Sequence, residues 1–285
     1  MITDKHFWVS DFNRASNYVS RYPETKHIFD YPSANWLTGR PKYVKVIDRS
    51  IKRTIKRAAP YLPTFVLYAI PNRDLGHHSA GGLAGDEEYF QFVRRIAAGI
   101  GNKSPVVIVE PDALPHSTLL DAKEQKHRIS LVKKAVTILA NNCDAIVYID
   151  IGHSNWLSPS DSFDLLMQAG VDRARGFSVN VSNYQTTQDS LIWGSQIASG
   201  FENEKYFIVD TSRNGQGPLD DCWCNPAGRG LGETPTNQTP SRFCDAFMWI
   251  KVPGESDGKC NGGPIAGKFW PEQAVELVQN SPFVD

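Results

Sequence analysis

The sequence lacks long hydrophobic runs, an excess of charge of either sign, and low-complexity segments. No apolar stretch approaches the roughly 20 residues that a helix needs to span a bilayer, so no membrane-spanning segment is expected. The 30 basic and 31 acidic residues give a formal net charge of −1, which provides no reason to expect nucleic acid or an anionic membrane as a partner. The first residues, from Met1 to Lys5, contain no apolar segment, so no signal peptide is expected in this chain.

Cysteine is scarce, with five residues in the chain. Cys143 stands alone, whereas Cys222, Cys224, Cys244 and Cys260 lie close together in the sequence. Four cysteines permit either a metal site or two disulfides. The one-residue gap between Cys222 and Cys224 is too short for the usual zinc knuckle, and no histidine follows. Disulfides, and with them an oxidising compartment, are therefore the preferred prediction.

A buried strand is the clearest feature that the sequence does contain. Val106–Val109 are four consecutive apolar residues with β-branched side chains, a pattern typical of parallel sheets covered by helices on both faces. Pro111 cannot donate to a strand ladder and restricts Glu110 before it, so the strand should end there. Asp112 follows immediately. Because the carboxyl ends of parallel strands line active sites in α/β folds, Asp112 is a candidate catalytic residue.

The same alternation of strand and helix patterns extends over the whole chain. The predicted strands are 6–9, 34–37, 63–70, 106–109, 145–149, 176–181, 206–209 and 246–252. The predicted helices are 44–59, 87–100, 121–141, one capped by Ser160 and ended by Gly170, one ending near Ser199, and one starting at Pro271. This alternation predicts an α/β fold, a single barrel-like (β/α) domain over 1–285, without an additional binding module.

Five of the predicted strand exits present an aspartate. Parallel connectivity would place these exits on one face of the sheet, near several aromatic side chains. Glycoside hydrolysis needs one protonated carboxyl at the leaving oxygen and one ionised carboxylate, and neighbouring like charges would help the acid keep its proton. A helix cap is the alternative role for a single aspartate of this kind. The five are Asp74, Asp112, Asp150, Asp210 and Asp257, and the aromatic side chains are Trp36, Tyr68, Trp156 and Trp223.

Two other functions compete with hydrolysis. His77, His78 and His153 near several aspartates could indicate a metal-dependent deacetylase, but no H-E-x-x-H pattern occurs and adjacent histidines rarely bind one ion together. A glucan-binding protein without catalytic activity would need the aromatic residues but not the converging acids. Neither alternative accounts for both the aromatic residues and the converging acids.

Read together, the motifs resemble glycoside hydrolase family 6, which comprises inverting cellobiohydrolases and endo-β-1,4-glucanases. The segments that carry the resemblance follow the family's order over nearly the whole chain. They are Tyr68 with Asn72-Arg73-Asp74, 108–112 (Ile-Val-Glu-Pro-Asp), 148–156, 180–184, 210–215, 223–225 and 245–258.

The resemblance implies a distorted barrel of about seven parallel strands, and roles for matching residues. Asp112 would be the general acid, supported by Asp74. Asp257 would be the base, with a water chain to Asp74 as the alternative. Tyr68 would contact the distorted sugar, and Asp150 would have a supporting role. The residues expected to bind glucosyl units are Trp36, Arg73, His153, Trp156, Ser182, Asn183, Trp223, Lys251 and Glu255.

The resemblance also bears on disulfides and on the mode of attack. It implies a Cys224–Cys260 disulfide and leaves Cys222 and Cys244 as a second candidate pair, whereas Leu75 stands where many relatives have cysteine. Short loops after Asp74 and Asp257 favour an open cleft. We therefore expect an endoglucanase, with a cellobiohydrolase as the alternative. We expect a secreted or periplasmic monomer that acts on β-1,4-glucans or cello-oligosaccharides without metal or organic cofactor.

Overall fold

The fold is a curled sheet of seven parallel strands with helices around it, and the computed structural model describes residues 2, 6–10 and 16–284 of the chain. Neighbouring strands follow the chain order from first to last. The strands are β1 Asn35–Leu37, β2 Thr64–Leu67, β3 Val106–Val109, β4 Ile146–Asp150, β5 Gly176–Val179, β6 Tyr206–Asp210 and β7 Cys244–Met248. Sequential parallel order places all carboxyl ends of the strands at one face.

Helices connect the strands, and 3₁₀ turns lie at Pro23–Thr25, Asp74–Gly76 and Val171–Arg173. None of the helices in the described part of the chain is both long enough and apolar enough to span a membrane. The α-helices are α1 Ser16–Val19, α2 Lys26–Phe29, α3 Pro41–Val44, α4 Ile47–Ala58, α5 Asp86–Ile100, α6 Ala113–Ser117, α7 Ala122–Asn142, α8 Pro159–Gln168, α9 Thr187–Ala198 and α10 Pro271–Gln279.

Both faces of the sheet are buried, which explains the continuous apolar runs in its strands. Along β2 and β3, Phe65 and Val107 pack into the core beneath the helices, whereas Val66 and Ile108 pack into a second core inside the curl. Side chains alternate between the two faces of a strand, so each strand contributes to both cores. Burying a side chain of this size stabilises the fold by about 1.5–3 kcal/mol, and the sum holds the strand exits in place.

The structure confirms the predicted fold class and corrects several boundaries. The predicted strand 6–9 is wrong: Phe7 makes only an isolated bridge to Leu62. The cap of α8 is Ser158 rather than Ser160, since the Ser158 side chain accepts the N–H of Asp161. The strands predicted over 176–181 and 246–252 end earlier, at Val179 and Met248. Beyond these ends the backbone leaves the sheet and carries residues of the functional site.

Candidate active site

Asp112 lies at the exit of β3 in a backbone conformation that residues other than glycine rarely adopt, with φ of 66°. Its backbone N–H donates a hydrogen bond of 2.8 Å to Oδ1 of Asp150, which fixes this conformation. The Asp112 side chain faces the cleft, yet its Oδ1 is buried and has no hydrogen-bond partner. Burial raises the pKa of Asp112 well above the usual range, and the neighbouring carboxyls of Asp150, Asp74 and Asp257 raise it further. Both effects therefore favour the protonated form of Asp112.

Asp150 is fully buried beneath Asp112. Its carboxylate accepts the N–H of Asp112, the N–H of Gly152 at 3.0 Å and the Ser178 hydroxyl at 3.0 Å. Burial raises the pKa of Asp150 to about 7, although these donors oppose the rise. Asp150 thus supports Asp112 from below instead of facing the cleft.

The exit of β2 carries Tyr68 and Asp74. The Tyr68 ring lies edge-on to Trp36, with ring centroids 5.1 Å apart, and the Arg73 guanidinium covers its other side at 4.4 Å. Burial raises the pKa of Tyr68 well above its ordinary value, and the nearby Asp112 and Asp74 carboxyls add to the effect. Oδ2 of Asp74 accepts the N–H of Ser79 at 2.7 Å, which closes the turn after the strand.

Arg73 does not lie on the cleft wall. Its guanidinium donates to the carbonyl oxygens of Tyr68 at 2.6 Å, Ser79 at 2.8 Å and Thr38 at 3.2 Å. These contacts place it behind the Tyr68 ring, where it braces the loop. The structure therefore gives no support to the predicted sugar contact of Arg73.

Unlike Asp112, Asp257 is held in its ionised form. Its carboxylate accepts from Arg213 at 2.9 Å, from the backbone N–H of Asn225 at 3.0 Å and from the Tyr184 hydroxyl at 3.3 Å. The Lys251 ammonium lies 3.3 Å from its other oxygen. Although burial alone would raise its pKa, the two cations and these donors lower the pKa of Asp257 to about 2. Asp257 is therefore ionised over the whole working pH range.

The predicted ring of five aspartates is only partly correct. Asp210 is fully buried and accepts the backbone N–H groups of Ser182, Ser212 and Lys251 at 2.9 Å, and that of Ile250 at 3.2 Å. These contacts draw the chain after β7 away from the ladder and explain why that strand ends early. Asp150 and Asp210 anchor loops below the cleft, and three of the five predicted aspartates line it: Asp74, Asp112 and Asp257.

The cleft encloses about 380 Å³ and presents indole rings along its walls. Trp36 is held by a 2.9 Å hydrogen bond from its Nε1 to the carbonyl of Ile250. Trp156 packs against His116 and His153 at 5.0 and 5.2 Å, and Trp223 is 48% exposed. The predicted substrate-binding residues that line the cleft are Trp36, His153, Trp156, Ser182, Asn183, Trp223 and Lys251.

Glu255 lies outside this wall, where its backbone pairs with Phe269. Several other residues of the site were not predicted from the sequence. Arg213 and Asn225, which hold Asp257, lie inside the segments 210–215 and 223–225 that resemble the family, although the sequence alone predicted no role for them. Further lining residues without a predicted role are Ser79, His116, Asn155, Tyr184, Gln185, Pro218, Asp220 and Asp221.

One of the two predicted disulfides is present. Cys224 and Cys260 are bonded, with Cα atoms 6.2 Å apart. The predicted second pair is wrong, because Cys222 and Cys244 are both free thiols. Cys244 begins β7 and is buried in the core beneath the helices, whereas Cys222 lines the cleft. Among the described residues, the one cluster with three potential metal ligands joins His78 to the two disulfide sulfurs, so it does not support the deacetylase alternative.

Comparison with known proteins agrees with this geometry. Residues 8–281 match the model of the glycosyl hydrolases family 6. Endoglucanase A of Cellulomonas fimi is 44% identical over 88% of the chain, and Endoglucanase 1 of Streptomyces sp. (strain KSM-9) is 38% identical over 89%. The structure of the endoglucanase Cel6 from Mycobacterium tuberculosis, in complex with a methyl-cellobiosyl-thio-cellobioside, superimposes with a TM-score of 0.90 at 38% identity and covers 97% of both chains.

Fungal proteins named cellobiohydrolase or exoglucanase are less similar, with 28–30% identity. The matched region spans 54% of the Cellulomonas fimi protein and 70% of the Streptomyces protein. With the family match over almost the entire chain and seven parallel strands around one acidic, tryptophan-lined cleft, this protein belongs to family 6 of the glycosyl hydrolases.

Proposed function

We propose that this chain is an inverting endo-β-1,4-glucanase that cuts internal bonds of cellulose and related glucans. The observation that carries the proposal is the opposite protonation of two carboxyls in one cleft. Burial holds the pKa of Asp112 well above normal, and cations hold the pKa of Asp257 at about 2. Because the two pKa values are shifted in opposite directions, Asp112 is assigned as the acid and Asp257 as its ionised partner.

Asp112 is the proton donor to the leaving glycosidic oxygen. Its raised pKa favours the protonated form, and its buried Oδ1, which has no hydrogen-bond partner, is free to meet a ligand. The carboxylate of Asp257 stays ionised and stabilises positive charge as it develops on the sugar ring in the transition state. Tyr68, braced between Trp36 and Arg73, lies beside the reacting sugar.

The attacking water passes its proton to Asp74 through a second water in this proposal. A carboxylate with a pKa of about 2 is a weak base, and four donors already occupy Asp257. Asp74 lies in the same cleft, and its carboxylate accepts a hydrogen bond from the N–H of Ser79. Of the two alternatives for activating water, this geometry favours Asp74.

Internal cutting is supported by the relatives and by the loops. The bacterial relatives at 38–44% identity are named endoglucanases. The segment between Asp257 and α10 at Pro271 is short, and it is held by the Cys224–Cys260 disulfide and by the pairing of Glu255 with Phe269. An open cleft of this kind admits the middle of a polymer chain. The disulfide also supports a secreted or periplasmic location.

The deciding experiment compares viscosity loss with reducing-end release on soluble substituted cellulose, for the native chain and Asp112→Asn. A steep viscosity drop for each new end, abolished by Asp112→Asn, is the expected result. A cellobiosyl fluoride, whose leaving group needs no proton, should still react with the variant, and NMR should show the inverted anomer. Release without viscosity loss would favour a cellobiohydrolase, and the absence of any release would refute the hydrolase.

A further inference from the structure

Glu110 is a buried carboxyl that the proposed reaction does not use. It follows β3 directly, its side chain is 1% exposed, and its φ of 49° is a conformation that glutamate rarely adopts. Such a conformation needs compensating contacts. Both carboxylate oxygens lie 3.1 Å from the backbone nitrogen of Ala69, and the backbone N–H of Glu110 donates to the carbonyl of Leu67 at 2.8 Å.

These contacts cross from one strand exit to the next. Ala69 directly follows Tyr68, and the chain then continues through Ile70 to Asp74. Glu110 stands two residues before Asp112. One buried carboxylate therefore fastens the segment that carries Tyr68 and Asp74 to the segment that carries Asp112.

Several neighbours of Glu110 stabilise its charged form, although its burial opposes ionisation. Arg73 lies near it from the β2 exit, and Arg128 from α7, where the guanidinium donates to the carbonyl of Asn72 at 3.0 Å. The Tyr89 hydroxyl interacts with it by a hydrogen bond, and the charge of Glu110 contributes to the raised pKa of Tyr68. Burial raises the pKa of Glu110 to about 7, against the lowering effect of its N–H donors and Arg73.

We infer that Glu110 is a positioning residue for catalysis: its buried carboxylate joins the two strand exits and sets the Tyr68 ring and Asp74 against the acid Asp112. The inference rests on the proposed function and goes beyond it, because Glu110 touches neither substrate nor the cleft. A displacement of about 1 Å between catalytic groups costs roughly 100-fold in rate. Loosening this contact should therefore lower turnover without weakening substrate binding.

The test is Glu110→Gln, which preserves the shape but removes the charge and one acceptor. Tyr89→Phe is the matched comparison, since it removes a hydrogen-bond donor to the same carboxyl but leaves the contact between Glu110 and Ala69 in place. On a soluble cello-oligosaccharide, Glu110→Gln should lower kcat by roughly 10- to 100-fold with KM changed less than about threefold. Tyr89→Phe should leave kcat within about twofold.

The pH profile separates positioning from a loss of stability. An ionised Glu110 disfavours ionisation of the nearby Asp112, so the charge removed in Glu110→Gln should shift the alkaline limb of the kcat profile to lower pH. Hydrogen exchange should speed up at the Ala69 and Ile70 amides, and affinity for a non-hydrolysable thio-linked cello-oligosaccharide should be preserved. If Glu110→Gln does not fold, Glu110→Asp, which keeps the charge but retracts it, provides the same comparison.

Two outcomes would overturn the inference while the native enzyme is active. One is a native kcat and pH profile in Glu110→Gln. The other is an equal loss of thermal stability in Glu110→Gln and Tyr89→Phe with kcat unchanged below the melting transition. An inactive native chain would instead refute the proposed function, and amide exchange at Ala69 would still report whether Glu110 holds the strand exit.

Discussion

The backbone N–H of Asp112 donates a 2.8 Å hydrogen bond to the side chain of Asp150, the last residue of the neighbouring strand. Through this bond, the carboxylate of Asp150 holds the backbone of Asp112 in place. Asp150 stabilises the left-handed backbone at Asp112, and its negative charge adds to the effect of burial in raising the pKa of that acid. The position and the protonation state of Asp112 thus depend on the same neighbour.

Asp150→Asn should therefore impair turnover through geometry. An asparagine has one carbonyl oxygen, whereas Asp150 accepts from Asp112, Gly152 and Ser178, so at least one donor would face an amide NH₂. We expect kcat to fall by roughly 100-fold, with KM nearly unchanged, measured on soluble cello-oligosaccharides. The control is Asp164→Asn, which makes the same change at an exposed aspartate on α8. Native turnover in Asp150→Asn would exclude the supporting role.

The parallel sheet and the placement of functional residues at its exits could be predicted from local patterns. Val106–Val109 and the proline after it specify a buried strand and its end, and all four residues are indeed buried. The predicted strand 6–9 failed because a short apolar run does not show whether a neighbouring backbone continues the ladder. In the described part of the chain, the backbone pairing of Phe7 is limited to an isolated bridge with Leu62.

The direction in which each aspartate points could not be predicted. Asp112, Asp150 and Asp210 all stand at strand exits in the sequence, yet only Asp112 faces the cleft. The difference depends on which backbone N–H groups surround each carboxylate, and these come from distant segments. Cys222 illustrates the same limit, since its partner in a disulfide depends on three-dimensional distance and not on the number of cysteines left over.

Stability should decline as the pH rises through neutrality. Glu110 and Asp150 have folded-state pKa values of about 7, and that of Asp112 is also raised, whereas unfolded carboxyls titrate near 4. The folded state therefore retains protons that the unfolded state releases, so stability present below about pH 4 is lost progressively up to and beyond pH 7. Asp257 acts oppositely, because its stabilising effect is lost as the pH falls towards 2.

Thermal melting between pH 3 and pH 9 measures this balance. We expect the highest Tm at mildly acidic pH and a decline above it, and Asp150→Asn should flatten the decline. The rate on cello-oligosaccharides should fall on the alkaline side as well, since Asp112 must be protonated to act. A Tm that rises from pH 5 to pH 8 would contradict the raised pKa values of these buried carboxyls.

Arg213→Met should destabilise the protein strongly. Arg213 is fully buried, pairs with Asp257 at 2.9 Å and lies over the Tyr184 ring at 4.5 Å. Removing one partner of a buried pair costs about 3–5 kcal/mol, because the other charge stays buried with less compensation. The free energy of unfolding in urea measures the loss. Arg94→Met, which breaks the exposed pair with Glu87, should change little.

The Cys224–Cys260 disulfide should stabilise both the fold and the charge state of Asp257. The bond closes a loop between residues separated by 36 positions, which corresponds to about 3–4 kcal/mol in the chain-entropy account. Asn225, next to Cys224, donates its backbone N–H to Asp257 and its side-chain N–H to the carbonyl of Cys260 at 3.2 Å. Loss of the bond should therefore loosen the donors that keep Asp257 ionised.

Cys224→Ser with Cys260→Ser tests this coupling. We expect a lower free energy of unfolding by about 3–4 kcal/mol and a lower kcat. The acidic limb of the pH profile should move upward, because weaker donors let the pKa of Asp257 rise from about 2. Cys222→Ser removes a free thiol from the same segment and should leave stability and the pH profile unchanged. Equal effects of both substitutions would show that the segment, and not the bond, controls Asp257.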